Sequence, residues 1–201
     1  MSESLVGRVI CSSTKGFTVG CQRLQSELPV FGSFVKAYIR EEMEVYGLIY
    51  NVAVDGDLLV RQLAVSPEAG EETLRDQREN RQVPIEVSVL VIGYKREGEI
   101  HRCLPPQPPL TLSDIYTCTS EEIKDFTASF DYFPIVLGEQ PGVPSDELLA
   151  ASLRLAADSR GNGEERHDFL VAAGRELAAL LNNDQVRLTT ILRRLSTHDR
   201  G

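Results

Sequence analysis

His101 and Cys103 stand two residues apart, and Cys118 follows fifteen residues later. On a strand, residues i and i+2 share a face, so a thiolate–imidazole pair or one side of a metal site could form there. Zinc needs four N or S ligands in a tetrahedron, and structural sites bring them as two close pairs. The second pair is missing, because Cys11 and Cys21 lie far back in the chain and no C-x-x-C occurs. We read a strand-end histidine and ordinary reduced thiols, mostly buried. Nothing close in sequence to Cys103 supplies an evident orienting group or oxyanion donors. G-x-S-x-G, H-E-x-x-H and G-x-G-x-x-G are absent as well. The expectation is a protein without catalytic residues or cofactor, with His101, Cys103 and Cys118 as its metal candidates.

Charge excludes one class of partner. Residues 1–143 hold 13 basic and 21 acidic side chains, and residues 144–201 hold 8 and 9. A phosphate backbone is repelled by the first part and scarcely attracted by the second, so nucleic acid is not an expected partner. The absence of Trp removes one stacking platform for single strands. Every basic residue after 143 is Arg. Arg187, Arg193, Arg194 and Arg200 could meet an acidic partner, although last-turn arginines also complement a helix dipole. The acidic pairs Glu41-Glu42, Asp55/Asp57, Glu71-Glu72 and Glu121-Glu122 fit turns or helix starts, as solvated charge or dipole partners.

The elements that would position these groups divide the chain. Leu5–Ile10, Phe17–Cys21, Val30–Tyr38 and Val45–Val54 are β-branched, aromatic or alternating, and they read as strands. Glycines inside them mark bulges or barrel corners. Asp55-Gly56-Asp57 is a turn, and Ser66–Gln82 is a solvated excursion with a short helix over Glu71–Arg78. Val83–Gly93 is the most hydrophobic run, with 83, 85, 87, 89 and 91 on one face and Leu90 and Ile92 on the other. Pro105–Pro109 is extended and cannot join a central sheet; it is a rigid connector, or else a ligand for an aromatic-lined groove. Thr119-Ser120-Glu121-Glu122 is a capping box opening a helix to about Ser129. Phe130–Leu137 is a last strand or a packed extended segment.

After Pro141–Pro144 the pattern is helical. Ser145 caps a helix with Leu149, Leu153 and Ala156 on one face. Asn162 and Glu165 open a second with Leu170, Ala173, Leu177, Leu180 and Leu181. Asp184 caps a third with Leu188, Ile191, Leu192 and Leu195.

The opening pattern resembles the HAS barrel, the N-terminal β-barrel shared by HerA-type DNA translocases and the F- and V-type ATP synthases. Gly7-Arg8-Val9, Phe31–Lys36 and Tyr46–Tyr50 carry the resemblance, with Gly7, Gly32 and Gly47 as structural glycines. It spans about residues 5–65, extending at most to the Pro-rich run near 105. Those motors continue into a G-x-x-x-x-G-K-[ST] domain, and this chain contains no Gly-Lys dipeptide. The resemblance therefore implies ring assembly and partner docking without ATP hydrolysis.

The expected fold class is α+β, a small antiparallel β-barrel followed by a helical segment. Its divisions are 1–104 (barrel), 105–143 (connector with a short helix and a strand) and 144–201 (helices). The expected function is a non-catalytic interaction or assembly module, or else an accessory or regulatory subunit of a ring ATPase or DNA translocase, with a small metalloprotein or hydrolase as the third reading. Protein partners or further copies of the chain are expected to bind it. No apolar stretch approaches a membrane span, and the polar N-terminus lacks a secretory apolar region, so a cytoplasmic location is expected.

Overall fold

Two hairpins begin the sheet: β1 (Leu5–Ser12) with β2 (Gly16–Leu24), and β3 (Phe34–Ile39) with β4 (Met43–Val54). The structure is a computed structural model that describes residues 3–24, 29–39, 43–54 and 82–196. The expected turn at Asp55–Asp57 and the short helix over Glu71–Arg78 lie outside the described residues, as does Arg200.

The long strand β5 (Gln82–Arg96) pairs with β4 along one edge and with β2 along the other, then turns back as β6 (Glu99–His101). β7 (Asp114–Thr117) inserts antiparallel between β1 and β3. The cycle β1–β2–β5–β4–β3–β7 is thereby closed, a six-stranded antiparallel barrel without an open edge.

Alternation separates two cores. Val9, Val19, Val35, Val45, Ile49, Val87, Val89, Val91 and Ile115 fill the barrel interior. Phe34, Tyr46, Leu48, Leu90 and Ile92 point outward from β3, β4 and β5 into a second core made with the helices. The expected two-faced reading of Val83–Gly93 matches this wherever the side chains are described. Gly7 and Gly47 both sit where the register shifts, Gly7 against β7 and Gly47 against β5. A Cβ on Gly47 would collide with Val89 in the barrel interior, and one on Gly7 with the Gly20 carbonyl.

Three expected boundaries are corrected. The strand expected over Val30–Tyr38 starts only at Phe34, because Val30–Ser33 is a turn closed by Ser33 N–H donating to Val30 O (3.2 Å). Gly32 supplies the positive φ (84°) that this turn requires. Phe130–Leu137 is not extended; it contains helix α2 (Phe133–Leu137), with Pro134 in the first turn and Phe133 and Val136 buried. Ser145 does not cap: its Oγ donates to Gly138 O, and Pro144 occupies the cap position of helix α3 (Ser145–Asp158) without a side-chain bond.

The remaining helices are α1 (Ser120–Phe126), α4 (Glu164–Leu180) and α5 (Gln185–Ser196). Thr119 and Glu122 form the expected capping box of α1. Gly163, rather than Asn162, precedes α4. Asp184 Oδ1 accepts from Arg187 N–H (3.0 Å) at the start of α5, as expected of a cap.

The helices lie against the barrel wall through aromatic contacts. Phe126 sits 5.1 Å from the Tyr46 ring, 5.4 Å from Tyr132 and 6.4 Å from Phe34. Arg160 adds a polar clamp at the far side: its guanidinium lies 3.9 Å over the Phe169 ring and donates to Thr127 Oγ1 (2.9 Å).

Within that core the Tyr132 hydroxyl is buried with no hydrogen-bond partner. An unpaired buried hydroxyl costs about 1–3 kcal/mol in desolvation. Tyr132→Phe is therefore expected to leave stability unchanged or raise it by about 1 kcal/mol, read as a higher urea midpoint at constant slope. A loss above 1 kcal/mol contradicts the orphaned hydroxyl.

Candidate interaction surface

The expected metal candidates do not converge. His101 lies on β6, stacked on the Tyr94 ring at 4.7 Å. Cys103 is exposed just beyond β6. Cys118 is buried in the core between barrel and helices, where burial pushes its thiol well up, so it is protonated and inert. Among the described residues, no three His, Cys, Asp or Glu side chains come together to hold a metal ion. The thiols are not mostly buried as expected. Cys11 and Cys103 are exposed and Cys21 is half-buried, because the helices cover only the β3–β4–β5 wall.

The expected partner-contact arginines serve the fold in two cases. Arg187 donates from Nε to Asp146 Oδ1 (2.7 Å) and from Nη2 to Leu137 O (3.1 Å). Arg194 pairs with Glu147. Both fasten α5 to the first turn of α3. Arg193 is exposed in the last turn of α5.

One ionic cluster escaped the residue patterns. Lys36 on β3 is only 3% exposed, and its ammonium reaches Glu122 Oε1 at 2.5 Å and Glu3 Oε1 at 3.0 Å. It thus ties barrel, N-terminal segment and α1 together. Burial works against its charge, but hydrogen bonds from the ammonium to Glu122 and Glu3 outweigh this and raise its pKa. For Glu122, burial favours the neutral acid, and the bonds from Lys36 and Thr119 overcome it and lower its pKa.

A carboxyl lowered in the folded state stabilises above its unfolded pKa, and that contribution fades as pH falls through the folded value. Stability should therefore drop on acidification below about pH 4.3, the ordinary Glu value. Glu122→Gln keeps the cap acceptor and should flatten that drop. Urea titrations from pH 6 to 3 check this; parallel curves for the two proteins contradict it.

The wall away from the helices carries a different feature. Ile10 on β1 (52% exposed) and, in the loop before β7, Leu110 (59%) and Leu112 (74%) are large apolar side chains left in solvent. Their loop is fastened to the strand: Leu112 N–H donates to Val9 O (2.8 Å), Val9 N–H to Ser113 O (3.0 Å), and Ser12 Oγ to Pro109 O (2.6 Å). Leu112 has φ 66°, a left-handed conformation that a bulky side chain adopts only under constraint. A strained backbone thus holds a large apolar side chain out in solvent. Sequence reasoning missed it because the strain comes from pairing with β1.

Two clefts lie elsewhere on the surface. One, of about 330 Å³, is lined by Cys11, Ser13, Lys15, Tyr50, Leu90 and Gln140 among others. The second, of about 570 Å³, runs from Leu137 to Glu147 and is walled by Arg187. Gln140 lines both, and its amide donates to Ile135 O (3.3 Å). Among the described residues, no helix is long and apolar enough to cross a membrane. No protein family profile matches the chain, and no curated protein is significantly similar to it.

Proposed function

We propose that this chain is a non-catalytic protein-binding module. Its barrel is a rigid scaffold that docks a partner through the apolar end formed by Ile10, Leu110 and Leu112. The supporting observation is Leu112, exposed and left-handed, in a loop whose backbone is bonded to the strand that carries the exposed Ile10. Exposed apolar clusters of this kind mark interaction sites, and strain held by surrounding bonds concentrates where function uses it. The barrel interior is filled by its own side chains, so binding falls to the outer surface.

A narrower form is an accessory role at a ring ATPase, with the barrel of HAS type and the protein working in the cytoplasm. It is supported by the closed six-stranded barrel and by Gly7, Gly32 and Gly47, the glycines that carry the resemblance. Its test is the turnover of a candidate ATPase with and without the chain.

The wider proposal is tested by Leu112→Asp. Co-purification from native extract should retain a defined partner with the natural chain and lose it with the variant, at an unchanged melting temperature. A chain that fractionates alone as a monomer, or a variant that keeps the partner, contradicts the proposal.

A further inference from the structure

We propose that the two clefts meeting at Gln140 form one groove that takes an extended polypeptide segment of a partner protein, with a Lys or Arg side chain of that segment seated against Glu139. This rests on the docking role above and assigns it a second contact, distinct from the apolar end.

Both clefts are shallow and open to solvent, as suits a bound chain segment, and Gln140 lines both. The lining mixes polar and apolar groups, the apolar ones including Tyr50 and Leu90 on the barrel side and Leu137, Pro141 and Val143 on the helical side. Charge selects the occupant. The larger cleft is walled by three carboxylates, Glu139, Asp146 and Glu147, and one guanidinium. That guanidinium, Arg187, is neutralised by Asp146 and also donates to the Leu137 carbonyl. Glu147 is held by Arg194. Glu139 is exposed and has no partner among the described residues. A cation from outside is the complement.

At the far end the signs reverse. The Lys15 backbone is fixed, its carbonyl accepting from Val91 N–H (2.9 Å), while its exposed ammonium has no partner among the described residues. An extended segment with a cationic residue over Glu139 and an acidic group towards Lys15 satisfies both ends.

The test uses short random peptides displayed on phage and selected on the immobilised full chain. The enriched peptide is then synthesised and its binding followed by fluorescence anisotropy. The expected peptide carries Lys or Arg, binds Glu139→Lys about tenfold more weakly, and does not bind Gln140→Trp, which fills the meeting point of the clefts. Glu139 is exposed and Gln140 half-buried, and equal thermal melts confirm that the variants fold.

Four results overturn the inference: no enriched peptide, an enriched peptide without a cation, unchanged binding to both variants, or a dimer in sedimentation that Gln140→Trp dissociates. The two proposals fail separately. A native partner that depends on Leu112, without a groove-bound peptide, leaves only the docking role. A groove-bound peptide without any native partner refutes the docking role instead.

Discussion

Phe126→Ala is expected to destabilise the protein by about 3–5 kcal/mol, the range for removing a fully buried phenylalanine. The ring is 0% exposed and touches three aromatic neighbours drawn from β3, β4 and the segment after α1. It lies so close to Gly93 on β5 that a Cβ there would stand 2.9 Å from the ring. Arg102 covers its other side, donating to Phe126 O at 2.7 Å. Because Phe126 joins barrel and helices, the loss should appear as one earlier urea transition monitored by both tyrosine fluorescence and far-ultraviolet circular dichroism. Two separate transitions in the natural protein would show that barrel and helices fold independently.

Gly32→Val should cost about 3 kcal/mol. A left-handed conformation costs an L-residue about 1–2 kcal/mol, and more when it is β-branched. The new Cβ would also stand 2.7 Å from the Ala151 Cβ in α3, adding overpacking of about 1–3 kcal/mol. Restricting the unfolded chain returns less than about 1 kcal/mol. For a chain of this size the melting temperature should fall by about 6–12 °C. A fall below 2 °C would mean that α3 does not press on the Val30–Ser33 turn.

What the sequence made legible follows from the range of the interactions involved. The two-sided strand β5 was readable because both of its faces are buried, one inside the barrel and one under the helices. The capping box of α1 was readable because it closes within four residues. β7 escaped because four residues with one fully buried side chain, Ile115, give no periodicity, and only pairing with β1 and β3 makes them a strand. The helix at Phe133–Leu137 escaped because its aromatic run also suits a strand, and Pro134 decides for the helix only once the N-terminal position is known.

The candidate surface was the least legible part. Leu110 and Leu112 look like ordinary loop residues until the Leu112 backbone is seen bonded to Val9. Lys36 looks like a solvated charge until Glu122, 86 positions away, arrives beside it. Conversely, His101, Cys103 and Cys118 drew notice by type and spacing, and the fold places Cys118 in a core and Cys103 in solvent.

Docking at the Leu112 end is tested most directly by a photo-crosslinking amino acid placed at position 112, compared with one at the exposed Asn182 on the helical side. Irradiation in native extract should give a discrete adduct from position 112 and none from position 182, and added natural chain should compete the adduct away. No adduct at 112, or the same adducts from both positions, contradicts docking through this end of the barrel.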